Sequence, residues 1–116
     1  MKLLIFGATG FIGSQIVKDA LAQNFDVKIL AHNSNTDIKN VEVIKGDVLN
    51  PEDVLKAVQG VDVVVNLIGI IKEKPPVVTF ENMHVRATKH ILDALEILDH
   101  KPLYIHISAF SSKILK

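Results

Sequence analysis

Lys2-Leu3-Leu4-Ile5-Phe6-Gly7-Ala8-Thr9-Gly10-Phe11-Ile12-Gly13 (residues 2–13) is the stretch whose reading decides the fold. Its first part is a short apolar run stopped by glycine, the pattern of a strand covered on both faces. From Phe11 the period changes, and Ile12, Ile16, Val17, Ala20 and Leu21 fall on one helical stripe. Between strand and helix lie three glycines, Gly7, Gly10 and Gly13. A lone G-x-x-G-x-x-G is a weak signal; here it leaves a buried strand and opens a helix, which gives it meaning. Gly7 permits the tight turn, Gly10 the close approach of a pyrophosphate to backbone, and Gly13 the packing of helix on strand. Free amides at the helix start then hold the phosphates. The competing reading is a glycine-rich turn with no ligand.

Outward from this unit the same alternation continues. Residues 26–31 and 41–45 read as the second and third strands. Asn50-Pro51-Glu52-Asp53 is a helix start: Asn caps, Pro occupies the first helical position, and two acids face the positive end of the dipole. That helix runs to about Val58, and Gly60 stops it. Residues 61–68 form the fourth strand, the most apolar one, interrupted by Asp62 and Asn66. After the loop Lys72-Glu73-Lys74-Pro75-Pro76, read as a solvated connector, a long helix begins near Thr79. Its stripe is Phe80, Met83, Ala87, Ile91, Ala94, Leu95 and Leu98. Lys101-Pro102 ends it, and residues 103–108 make the fifth strand. Strands alternating with helices predict an α/β fold of Rossmann type: a doubly wound parallel sheet, order 3-2-1-4-5, with helices on both faces. One domain, residues 1–116, is expected, with the far side of the sheet and any substrate domain missing.

Composition narrows the function classes. Thirteen basic and 13 acidic residues leave no net charge, so nothing suggests nucleic acid or an acidic membrane surface as partner. No apolar run approaches the roughly 18 residues of a membrane helix, and direct membrane insertion is not expected. The chain has no cysteine, which excludes disulfides, zinc ribbons and thiol catalysis and fits a cytoplasmic setting. Among the histidines, His84 and His90 miss the three- or four-residue spacing that puts two ligands on one helix face, so no metal is expected.

These residues together resemble the extended and atypical branches of the short-chain dehydrogenase/reductases, whose glycine spacing is G-x-x-G-x-x-G. Gly46-Asp47-Val48 after the third strand resembles the family's Asp-Val pair, and the resemblance implies that Asp47 and Val48 contact the adenine. Asn66-Leu67-Ile68-Gly69 resembles its N-x-x-G wall beside the adenine ribose and pyrophosphate, implying roles for Asn66 and Gly69. His84-Val85-Arg86-Ala87-Thr88 sits where extended members carry Asn-Val-x-Gly-Thr. Strand four and the helix after it are similar to an atypical branch that includes the NAD(P)-binding accessory subunit of respiratory complex I and its bacterial relatives, which implies a setting peripheral to a membrane complex. The resemblance covers this whole chain but only the N-terminal part of a family member. The implied cofactor contacts are Gly7, Thr9, Gly10, Phe11, Ile12, Gly13, His32, Asn33, Asp47, Val48, Asn66 and Gly69.

The residue closing the second strand separates the two dinucleotides. An acid there accepts from the adenine ribose hydroxyls and selects NAD. Ala31-His32-Asn33 offers no acid to repel a 2′-phosphate, and His32 and Asn33 can donate to one. This favours NADP over NAD, although the arginine of many NADP binders is missing and His32 reads equally as a solvated loop histidine. Ser108 closes the fifth strand where the resembled family places a serine on the substrate, so its implied role is substrate contact; it reads equally as a polar residue closing a buried strand. The family's Tyr-x-x-x-Lys is absent. The single tyrosine, Tyr104, lies inside the fifth strand and is followed at that spacing by Ser108.

Three functions stay open: the cofactor domain of an oxidoreductase without its full catalytic machinery, a non-catalytic NADP(H)-binding structural or redox-sensing module, or part of a nucleotide-sugar epimerase or dehydratase. Leu103-Tyr104-Ile105-His106-Ile107 is expected to be an exposed, alternating apolar sheet edge, through which the chain forms a homo-oligomer.

Overall fold

The structure is a computed structural model that describes residues 1–8, 11–32, 39–68 and 85–107, with only the backbone of Phe11. Thr9, Gly10, Asn33, Gly69 and Ser108, the 72–76 loop and the expected helix start at Thr79 lie outside the described residues.

Among the described residues, eight elements follow one another: β1 (Lys2–Phe6), α1 (Phe11–Ala22), β2 (Asp26–Ala31), β3 (Glu42–Lys45), α2 (Pro51–Ala57), β4 (Val63–Asn66), α3 (Ala87–Ile97) and β5 (Leu103–His106). The five strands form one sheet in the order β3-β2-β1-β4-β5, and every pairing is parallel. Alternation along each strand divides the core into two. Leu4, Phe6, Leu30 and Val64 face α2 and α3, whereas Ile5, Val27, Ile29 and Val65 face α1. Burial on both faces of the central strands β1, β2 and β4 explains their near-continuous apolar runs.

Helix ends follow local chemistry. Asn24 takes a positive φ of 66° after α1. The amides of Phe25 and Asn24 donate to the carbonyls of Ala20 and Leu21, closing a left-handed cap. Asn50 caps α2, its side chain accepting from the Glu52 amide at 3.0 Å, and Gly60, at φ +73°, lies in the turn that leaves it. Two lysines finish the helices that share a sheet face. Lys28 of β2 is only 5% exposed, and its ammonium donates to the carbonyls of Ala57 at 3.0 Å and Gln59 at 2.9 Å. Burial pushes its pKa below the ordinary lysine value. Lys101 donates to Leu95, Glu96 and Leu98 at the end of α3, favourable positions for cations.

Three elements end earlier than the apolar pattern predicts. β4 covers Val63–Asn66 rather than 61–68. Asp62 instead ties its backbone and carboxylate to Lys2, and the Asn66 side chain takes the Ile68 amide at 3.0 Å, turning the chain out of the ladder. β5 pairs only over Leu103–His106, in register with β4, and the remainder of its predicted run begins at Ile107, whose amide still reaches the Asn66 carbonyl. The regular part of α3 begins at Ala87, after a wider turn at Val85 and Arg86, and ends at Ile97 because Leu98 is already extended. Among the described residues, no helix is long and apolar enough to cross a membrane.

Candidate functional site

Strand register gathers the singled-out residues on one edge. Phe6 pairs with Asn66 and Asn66 with His106, while Ala31 pairs with Lys45. The chain leaving each strand therefore emerges on the carboxyl edge: Gly7 after β1, His32 after β2, Gly46 and Asp47 after β3, and Leu67 after β4. Connections run one way from β1 to β2 and the other way from β4 to β5, so β1 and β4 flank the switch point where open α/β sheets bind ligands.

At that point the backbone is crowded. Gly7 has a φ of +83°, and a Cβ on it would stand 3.2 Å from the carbonyl carbon of Leu67. Gly13 lies against the turn, where a Cβ would meet the Gly7 carbonyl oxygen and come within 2.8 Å of the Ala8 Cα. Those obstacles are backbone and cannot swing aside, so α1 sits as close to the β1 turn as an absent side chain allows. The first turn of α1 carries no acidic residue, leaving its positive end without an internal counter-charge. Ile12, in that turn, is 45% exposed. Phe11 contributes the first residue of the helix, and its side chain lies outside what is described.

His32 is exposed at the end of β2, next to the buried Ala31, and no acid stands at either position. The β3–α2 turn is half-buried. The Asp47 Oδ1 accepts from the Leu49 amide at 2.8 Å, its amide donates to Asp53 Oδ2 at 2.9 Å, and the Val48 carbonyl meets His90 Nδ1 at 3.1 Å.

Asn66 is fully buried and committed inward. Its Nδ2 donates to Thr88 Oγ1 at 3.2 Å and to the Tyr104 hydroxyl at 3.0 Å, and its Oδ1 holds the Ile68 amide. A side chain so occupied shapes the exit of β4 rather than reaching for a ligand. The Tyr104 hydroxyl also lies 3.1 Å from His106 Nδ1. Sequence reading missed the partners that hold these turns: Asp53, read only as a dipole acid, and His90, Thr88 and Tyr104. Apart from the Tyr104–His106 contact, their hydrogen-bond partners lie between 6 and 42 residues away along the chain, and no local pattern signals them.

The arrangement is a glycine turn at a helix start, at the switch point of a parallel sheet, with a polar turn at one side. Comparison with known proteins agrees. A family model described as NAD(P)H-binding matches residues 7–113. The photosystem II assembly factor Ycf39 of Cyanophora paradoxa is 36% identical over 70 residues, which cover 57% of this chain and 22% of that protein. The UDP-glucose 4-epimerase of Thermus thermophilus, solved with NAD, superposes with a TM-score of 0.63 at 26% identity, over 81% of this chain and 33% of that one. A glucuronic acid dehydrogenase from Chromohalobacter salexigens shares the fold, with a TM-score of 0.72 at 21% identity, over 89% of this chain and 38% of that one. The chain thus spans about a fifth of the length of the curated relatives it matches.

Proposed function

From the premise that the chain belongs to the NAD(P)H-binding family, we propose that its carboxyl sheet edge holds the dinucleotide with the pyrophosphate on the turn from Gly7 to Gly13. The observation that carries this is the pair Gly7 and Gly13. One has a positive φ, the other has no room for a Cβ, and together they press an uncompensated helix start against the β1 turn. Backbone amides of residues 9–13 bind the phosphates, as the glycine spacing requires. Asp47 and Val48 border the adenine, and residues 66–69 form the wall beside the ribose.

NADP is the preferred form. With Ala31 buried and His32 exposed at the end of β2, no carboxylate opposes a 2′-phosphate, and His32 and Asn33 can donate to it. A bound nicotinamide would supply hydride chemistry, while the residues named here hold the pyrophosphate and the adenosine end.

Binding without turnover is the reading for this chain by itself. Its one tyrosine sits in β5 with the hydroxyl held by Asn66, and no Tyr-x-x-x-Lys is available to donate a proton.

Fluorescence titration with NADPH and NADH tests the binding reading. The wild type should bind both, NADPH more tightly. Gly10→Val should weaken binding far more than it lowers the unfolding midpoint, because the added side chain stands where the pyrophosphate meets backbone. Equal affinities in wild type and variant would remove the proposal.

A further inference from the structure

The β3–α2 turn is held by two side chains to which cofactor binding assigns no role. Asp53, in the first turn of α2, accepts the Asp47 amide at 2.9 Å. From α3, His90 Nδ1 meets the Val48 carbonyl at 3.1 Å. A carbonyl can only accept, so His90 carries a proton on Nδ1. Gly46 completes the arrangement: a Cβ there would fall 2.8 Å from Asp53 Cγ and 2.9 Å from Oδ2, so any side chain would drive the carboxylate off the Asp47 amide.

Neither contact is needed to start its own helix. α2 is already capped by Asn50, and Glu52 already complements its dipole. His90 lies inside α3 and reaches across to a different element. Both contacts converge on two consecutive residues, and Asp47 is fixed further by its own Oδ1 accepting from Leu49. The other carboxylate oxygen of Asp47 has no partner among the described residues. An acceptor fixed in this way matches the exocyclic amino group of adenine, a hydrogen-bond donor.

We propose that Asp53 and His90 are positioning residues that clamp the Asp47-Val48 turn and thereby set affinity for the adenine end of the dinucleotide. The clamp rests on the dinucleotide reading above, and its contribution is preorganisation: the turn is ordered before the ligand arrives, so less freedom is lost on binding.

Calorimetric titration of the full chain with NADPH, ADP-ribose and nicotinamide mononucleotide tests it, with hydrogen exchange followed at the amides of residues 46–49. Asp53→Ala and His90→Leu should each lose about tenfold in affinity for ADP-ribose, the size expected when one hydrogen bond no longer holds the turn. Affinity for nicotinamide mononucleotide should stay unchanged, and the Asp47 amide should exchange faster. Asp53→Asn retains an acceptor and His90→Asn retains a donor near the position of Nδ1, so both should recover most of the loss. A general structural role would instead weaken both ligands alike without rescue by asparagine, and that result overturns the clamp. Unchanged ADP-ribose affinity in the folded variants overturns it too. If Asp53→Ala does not fold, His90→Leu decides alone. A wild type that binds none of the three ligands rejects the dinucleotide reading and the clamp with it. A wild type that binds while its variants match it rejects the clamp only.

Discussion

Asn66 shows how a single buried polar residue shapes the carboxyl edge of the sheet. Its side-chain hydrogen bonds among the described residues end on three different segments, Thr88 on α3, Tyr104 on β5 and Ile68 just beyond β4. Replacing it by alanine leaves the Ile68 amide without a partner in the core and opens a small cavity. Asn66→Ala should cost roughly 2–4 kcal/mol in chemical denaturation, since an unsatisfied buried group adds to the lost packing. Tyr104→Phe removes both the bond from Asn66 and the contact with His106 and should cost roughly 1–2 kcal/mol. A variant at position 66 as stable as the wild type would show that water replaces the side chain at little cost. At Gly13 the obstacle is backbone, so Gly13→Ala should lower the unfolding midpoint as well as NADPH affinity. Gly10→Val should lower affinity with little change in midpoint, and the contrast between the two separates a packing glycine from a ligand-approach glycine.

At the scale of elements, the helices on one sheet face are finished by lysines contributed from strand and loop. Lys28 couples β2 to the end of α2 through two carbonyls. Its burial depresses the pKa, so the unfolded chain holds the proton more tightly than the folded one. In the alkaline window between the two values the unfolded state binds more protons, and stability from this group rises with pH. Comparing wild type with Lys28→Met cancels the other lysines. The stability difference should move in favour of the wild type as the pH is raised through that window. A difference that stays flat would mean that the two carbonyls offset burial completely. Lys101→Ala frees the last carbonyls of α3 and should cost up to about 1 kcal/mol, because that end is only half-covered.

For the whole molecule, the asymmetry of the sheet matters most. β3 and β5 are its two edges. Along β5, Leu103 is 62% exposed and Ile105 and Ile107 are each 39% exposed. Register places Leu103 beside Val63 and Ile105 beside Val65, on the sheet face that α1 covers only over the other strands. An apolar stripe on a strand at the end of the sheet order favours association of like chains, and we propose a homo-oligomer formed through β5. Light scattering should show an apparent mass that rises with concentration, and Ile105→Lys should return it towards the monomer. A wild type that stays monomeric at high concentration, or an Ile105→Lys variant that associates as before, speaks against this surface.

What the sequence by itself determined is whatever depends on neighbours along the chain. The strand–glycine–helix unit, the Asn50 cap, the switching of periods and hence the 3-2-1-4-5 order could all be read from it. Backbone demands such as a positive φ at Gly7 or the missing Cβ at Gly13 leave no substitute residue, so they show in the letters. The tertiary structure alone decided the ends of β4 and β5 and the partners of buried polar groups. Asp53 reads as an ordinary helix-start acid until α2 folds its first turn against Gly46 and Asp47. His90 reads only as a histidine spaced wrongly for a metal until α3 is laid beside the β3 exit. Lys28, inside the second strand, carries no sign of its partners until the end of α2 is folded over it. Each role is created by the crossing of elements distant in sequence. A hydrogen bond senses position in space, and the sheet order sets that position.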